Sequence, residues 1–241
     1  MRLLDEHFEG EALDTSVWSP YYLPHWSSRA ASRATHSVGG GELRLSIPPH
    51  QPLWCPDRHP EPLRVSCLQS GSLTGQQPFR EGLTVREEQP DFWGYTPRYG
   101  HVEIRMRGII TKRSMFAFWL SGIEDRPEHS GEICVAEIFG DTVGVGMGLH
   151  RFRDPSLTEE FAVEPLTLDV ADFHTYGVDW RPGSLVFTVD GDVVRTVGQA
   201  PDYPVQLMIG VFDFPAKGDP SHTTPPVPEM VVSHVTGHPL D

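Results

Sequence analysis

Cysteine is scarce in this chain: Cys55, Cys67 and Cys134 are the only three among 241 residues. An odd count without Cys-x-x-Cys spacing excludes a full disulfide framework, and His59 beside Cys55 does not make a paired zinc signature. A reduced compartment fits that usage. Positive charge is also in short supply, with 19 Lys and Arg against 33 Asp and Glu for a net charge of −14. That balance repels phosphate backbones and anionic membranes, so nucleic acid is disfavoured as a partner and a neutral molecule is preferred. No apolar run approaches the ~18 residues of a membrane span. Acidic residues follow Met1 too soon for a signal-peptide apolar stretch, so the sequence as written predicts a cytoplasmic protein, or a secreted one if a leader has been removed. A monomer with no membrane contact is expected.

Several catalytic signatures are missing as well. There is no HExxH, no GxSxG elbow and no GxxxxGK[ST] loop, and the alternating glycines from Gly144 to Gly148 lack the last glycine of a dinucleotide fingerprint. No cofactor is implied.

Glycine and proline are plentiful, 23 of each, and hydrophobic residues make up 38 % of the chain. Many turns and one sizeable core are therefore expected, as a single domain over residues 1–241. Period-two alternation recurs between Gly, Pro or Asp, the mark of strands. Leu43, Leu45 and Ile47 alternate with polar residues, as do Val102, Ile104 and Met106. Leu185 to Val189, Asp190-Gly191 and Val193 to Val197 predict a hairpin. Further strands are expected at 115–121, 132–139, 143–150, 173–180, 205–214 and 230–236, with one weak helical candidate at 156–172. Many short strands without βαβ alternation indicate an all-β, antiparallel β-sandwich. The proline-rich residues 48–62 predict an ordered loop or a lid over one face, and 215–228 a second loop.

Parity sorts the middle strands into two faces. Phe116, Phe118 and Leu120 share one side and Met115, Ala117 and Trp119 the other; Leu207, Ile209 and Val211 oppose Gln206, Met208, Gly210 and Phe212. Small residues on the second face, punctuated by Trp119, His150 and Phe212, would make the floor of a trough. The same glycines, 144, 146 and 148, equally suit a bend or a covered position. Between these strands, Glu132 and Glu137 stand inside an apolar run, where an ionised group is costly unless it is paired or used. Their spacing of five puts them on opposite faces of a regular strand, but one β-bulge brings both to the same face. Two adjacent carboxylates suit a retaining glycosidase, one attacking and one shuttling the proton. The bland alternative is a pair of solvated strand-end glutamates.

The segments LLDEHFEG, LDTSVW, GGELRLSI, YGHVEIRMRG, FAFWL, GEICVAEIFG, FHTYGVDWRPGSLVFTVDG and MVVSHV, in that order, resemble glycoside hydrolase family 16 along nearly the whole chain. The resemblance implies a jelly-roll, concanavalin A-like sandwich with a concave substrate cleft. It also implies Glu132 as nucleophile and Glu137 as general acid/base, from the family's Glu-x-Asp-x-x-Glu motif. Cys134 stands where that Asp supports the nucleophile, and a thiol is a weaker, mostly neutral donor. Trp119 matches a tryptophan that stacks beneath the sugar, and His150 matches a cleft histidine near the acid/base. Trp93, Trp26 and Tyr95 are loop candidates for the same cleft. Met115 and Gly210 depart from a second stacking tryptophan and a polar cleft residue. Ser233 stands where many members place an Asp for a structural calcium, so no metal is expected, and Asp5, Glu6 and Glu9 become ordinary surface charges. The implied activity is retaining endo-hydrolysis of a β-linked polysaccharide, a β-glucan such as β-1,3-glucan or a related β-galactan. The alternatives are a weak or inactive carbohydrate-binding protein on the same fold, and an interaction module.

Overall fold

A computed structural model describes residues 3–73, 81–140, 144–218 and 226–240. Its strands are β1 (Leu4–Glu6), β2 (Thr35–Gly39), β3 (Glu42–Ser46), β4 (Arg64–Gln69), β5 (Gly71–Ser72), β6 (Phe92–Trp93), β7 (Gly100–Ile109), β8 (Ser114–Gly122), β9 (Glu132–Phe139), β10 (Val145–His150), β11 (Glu160–Glu164), β12 (His174–Arg181), β13 (Ser184–Val189), β14 (Asp192–Val197), β15 (Val205–Asp213) and β16 (Glu229–His238). Two antiparallel sheets form a jelly-roll sandwich. One runs β14-β13-β12-β7-β16-β3-β2 with β1 added along β16, and the other runs β11-β10-β9-β8-β15-β4.

The first sheet alternates buried and half-buried positions, as on β7, because one of its faces meets water. The second is different: β8 and β15 are buried at every position, so both faces are covered. On its inner face Phe116, Phe118, Leu120, Leu207, Ile209 and Val211 pack against Val102, Ile104, Tyr176 and Trp180 of the opposite sheet. On its outer face Val65, Cys67, Met115, Ala117, Trp119, Cys134, Met208 and Phe212 form a second cluster with Trp26, Trp54 and Cys55. The expected parity holds on both strands. The proline-rich loop at 48–62 supplies Trp54 and Cys55 to that outer cluster, pinned by Trp54 Nε1 donating to Tyr22 O at 3.0 Å and Cys55 Sγ to Trp26 O at 3.1 Å. Asp190 and Gly191 both take positive φ, 51° and 86°, the geometry of a type I′ turn matched to the twist of its strands.

Two expectations need correction. Residues 156–172 hold the short strand β11 instead of a helix: Pro165 cannot stand inside a helix, and pairing with β10 satisfies the backbone of 160–164. Strands β1, β2, β4, β5 and β6 stand outside the expected set, and of these β4 closes the edge of the second sheet beside β15. In the loop at 215–228, Pro215–Lys217 form a short 3-10 turn, and residues 219–225 lie outside the described residues.

Candidate active site

The outer face of the second sheet carries a cleft of about 610 Å³, and both Glu132 and Glu137 line it. A bulge makes this possible. Phe118 pairs with Ala136 and Trp119 with Cys134, so Val135 is the extra residue on β9; against β10, Gly146 pairs with Glu137 and Gly148 with Cys134. Both neighbouring strands therefore register the same insertion, which turns Val135 and Ala136 into the core and leaves Glu132, Cys134 and Glu137 on one face. The carboxylates project from the middle of a sheet, where backbone pairing on both sides fixes their direction.

Glu132 is half-buried. Ser121, its register partner on β8, donates a hydroxyl hydrogen bond to Oε1 at 3.0 Å, and the Trp119 side chain donates a second bond. Both favour the ionised form, but burial outweighs them. Desolvation, with smaller pushes from the charges of Glu137 and Glu124, raises the carboxyl from 4.5 to about 8. Glu137 is also raised by desolvation, while the charge of His150 and a bond from the Cys134 thiol pull the other way. That bond, Cys134 Sγ to Glu137 Oε1 at 3.6 Å, changes the expected role of the cysteine. The thiol was expected to support Glu132, and it lies instead against the other carboxylate. Burial and the two glutamates push the thiol well above its usual range, so it is a neutral donor.

Trp119 and Trp26 line the cleft, Trp119 tilted against Phe212 with ring centroids 5.8 Å apart. His150, expected in the cleft, does not line it: its Nδ1 is bonded to Glu159 and its ring stacks on Phe161 at 4.6 Å, which holds it to the β10–β11 side. The glycines of β10 resolve as covered positions. A Cβ on Gly146 would stand 2.5 Å from Phe161 Cζ and 3.2 Å from Glu137 Cβ, so this glycine admits the ring that props His150. Gly210 lies beneath Phe212, with 3.2 Å between an added Cβ and that ring. Trp93 is 53 % exposed and does not line the cleft, and Tyr95 is 2 % exposed in the inter-sheet core. Both sit on irregular or very short segments, where alternation offers no guide to direction.

Other residues emerge that the sequence did not single out: Ser121, Tyr22, Phe152 and the Arg153–Glu124 ion pair at 2.8 Å all line the cleft. Ser121 was reachable, because it shares parity with Ala117 and Trp119. Leu23, Glu124 and Phe152 hold positive φ of 40°, 56° and 42°, a conformation that non-glycine residues adopt at a cost and that gathers at working surfaces. On the opposite sheet, Ser233 Oγ lies 3.3 Å from Arg105 Nη1. A guanidinium there opposes a cation, so these residues do not fit a structural calcium.

Comparisons with known proteins fall on the same fold. The sequence profile described as glycosyl hydrolases family 16 matches residues 95–223, just over half of the chain. The solved GlcNAcα1-4Gal-releasing endo-β-galactosidase of Clostridium perfringens superposes with a TM-score of 0.88 at 24 % identity, covering 97 % of this chain and 61 % of that one. The catalytic domain of an endo-1,3-β-glucanase (laminarinase) from Thermotoga petrophila gives 0.67 at 16 % identity, covering 99 % and 97 %. Among curated proteins, the Crh-like protein CRH11 of Candida albicans is 24 % identical over 129 residues, 52 % of this chain and 27 % of its own length. The chain spans 22 to 39 % of the length of the curated relatives it matches.

Proposed function

The chain belongs to glycosyl hydrolases family 16, and on that premise we propose that its cleft breaks internal β-linked glycosidic bonds with retention, with a β-galactoside as the preferred substrate class. Members of this family act on polysaccharides. The observation that carries the reading is the bulge at Val135, which brings two carboxylates to one face inside a lined cleft.

The chemistry then divides between them. Glu132, held by Ser121 and Trp119, attacks the anomeric carbon; Glu137 gives its proton to the leaving oxygen and afterwards takes one from the incoming acceptor. Reaction needs the one arrangement with Glu132 ionised and Glu137 protonated, so the pair shares a single proton in its working state. Donors on Glu132 favour that arrangement, while burial holds its proton on up to about 8, so the working state fills as pH rises towards that value. Water or a sugar hydroxyl can resolve the glycosyl-enzyme, giving hydrolysis or transfer. Trp119, Trp26 and Phe212 are packed into the wall of the cleft, and the part of each ring that reaches it is where the C–H face of a pyranose would pack. Met115, where a second stacking ring is usual, and the ring of Phe212 over Gly210 reshape the floor relative to a glucan cleft. The stronger likeness to the endo-β-galactosidase, 0.88 against 0.67, also supports ranking β-galactosides above β-glucans.

The test is incubation of wild type, Glu132→Gln and Glu137→Gln with β-galactan and β-galactoside-containing glycans, β-1,3-, β-1,4- and mixed-linkage glucans, reading new reducing ends and longer transfer products together. Products from wild type alone, with β-anomers formed first, support the reading. Wild-type rates in Glu132→Gln would overturn it. Binding without product from any of these glycans would favour the carbohydrate-binding alternative, for which the neutral Cys134 in the motif is the motivating observation.

A further inference from the structure

At the edge of the cleft, Glu137 stands between two side chains that line no part of it, Cys134 and His150, and the three together form a donor set. One ligand atom each from Cys134, Glu137 and His150 lies within 4.8 Å of the other two. We propose that these three residues bind one divalent metal ion of the zinc class, and that its binding switches off glycan cleavage by capturing Glu137.

Geometry supports the site first. Tetrahedral zinc, with bonds of about 2.0–2.3 Å, sets neighbouring ligand atoms roughly 3.3–3.8 Å apart. Cys134 Sγ and Glu137 Oε1 already stand at 3.6 Å, and the remaining spacings, within 4.8 Å, need closing by at most about 1.5 Å. All three side chains rise from paired strands, Gly148 opposite Cys134 and Gly146 opposite Glu137, so the site is framed by backbone that does not need to rearrange.

The histidine is also prepared as a ligand. Its Nδ1 is bonded to the Glu159 carboxylate, which fixes the ring and leaves Nε2 as the nitrogen a metal would take. Glu159 is itself fixed by the Arg151 N–H donating to Oε2 at 3.1 Å, and Phe161 stacks on the imidazole at 4.6 Å. A carboxylate orienting the far nitrogen of a histidine is the usual outer support of a zinc ligand. This second observation is independent of the spacing.

Ligand type selects the metal. A thiol and an imidazole favour zinc, cobalt or copper over magnesium and calcium, which prefer all-oxygen sets. Binding replaces the thiol proton: the S–H bond breaks, the S–metal bond forms and the proton passes to solvent. Three protein ligands leave a fourth position for water. The calcium considered at Ser233 belongs to the other sheet and is a separate matter. Inhibition rests on the proposed role of Glu137, whereas binding does not.

The experiment is titration of chelator-treated full-length protein with Co²⁺, read by the near-ultraviolet thiolate-to-cobalt charge-transfer band and the visible bands of a tetrahedral ion. Wild type should saturate at one equivalent. Cys134→Ser should lose the charge-transfer band, Glu132→Gln should keep it, and Glu159→Gln should weaken affinity roughly 10–100-fold. Absence of the band in wild type overturns the proposal, as does its persistence in Cys134→Ser, which would assign it to Cys55 or Cys67. Zinc should then suppress glycan cleavage by wild type reversibly and leave the residual activity of Cys134→Ser insensitive. If no glycan is cleaved, the functional reading fails while the cobalt titration still decides the site.

Discussion

Replacing Glu132 with Gln should stabilise the protein at high pH and leave it little changed at low pH. The carboxyl is raised from 4.5 to about 8, chiefly by desolvation. A rise of about 3.5 units, at ~1.36 kcal/mol per unit, sets a ceiling near ~5 kcal/mol. The carboxylate faces an open cleft whose water screens the charge, which leaves ~2 kcal/mol. The sign follows from proton counting. Between pH 4.5 and about 8 the unfolded chain has released this proton and the folded chain retains it, so stability falls as pH rises through that window. Glutamine removes the slope. Urea unfolding of both proteins at pH 4, 6, 7 and 9 should give curves that diverge upward by ~2 kcal/mol in favour of the variant, with an offset at pH 4 that reports only the altered bond to Ser121. Parallel curves across the whole range would refute the reasoning, because the carboxylate would then be as well solvated in the fold as out of it. Divergence together with lost activity is what a residue kept for chemistry at the expense of stability should show.

Other perturbations probe the same site from its neighbours. Ser121→Ala removes the hydroxyl that donates to Glu132 at 3.0 Å, a charge-assisted bond of ~1.5 kcal/mol, so the acid limb of kcat/KM should move up by about one pH unit. An unmoved limb would mean that Glu132 does not govern it. Gly146→Val forces a side chain against Phe161 and Glu137, where an added Cβ alone already approaches to 2.5 Å and 3.2 Å. A stability loss of ~1–3 kcal/mol by urea unfolding, with lower cleavage rate and weaker cobalt binding, is expected, since the ring that moves is the one supporting His150. Wild-type behaviour in all three assays would show that the β10 glycine is dispensable.

The fold was legible where one face of a strand meets water and the other meets the core. β3, β7 and the β13–β14 hairpin show their alternation openly, and the Asp190-Gly191 turn states its own geometry. Coverage of both faces does not by itself hide a strand: β8 and β15, buried throughout, are legible from the parity of Phe116, Phe118 and Leu120 and of Leu207, Ile209 and Val211. β4 shows only a brief alternation, Arg64 and Ser66 against Val65 and Cys67, before Leu68 and Gln69 break the phase, and β11 is a half-buried edge of five residues, too short to set a strand period against a helical one. Glu132 and Glu137 are readable as a pair only by supposing a bulge, since period two alone separates them, whereas Ser121 follows from plain parity with Ala117 and Trp119. Trp93 and Tyr95 fall outside the cleft, and an aromatic ring on so short or irregular a segment carries no phase that could say so. The partner of Cys134 was beyond any pattern. With Val135 turned into the core, the thiol is left on the same side as Glu137 and bonds to it, a consequence of where the extra residue falls and not of residue type. The same insertion that makes a glycosidase-like carboxylate pair therefore also assembles the Cys134–Glu137–His150 cluster, and a variant that deletes Val135 should lose both together.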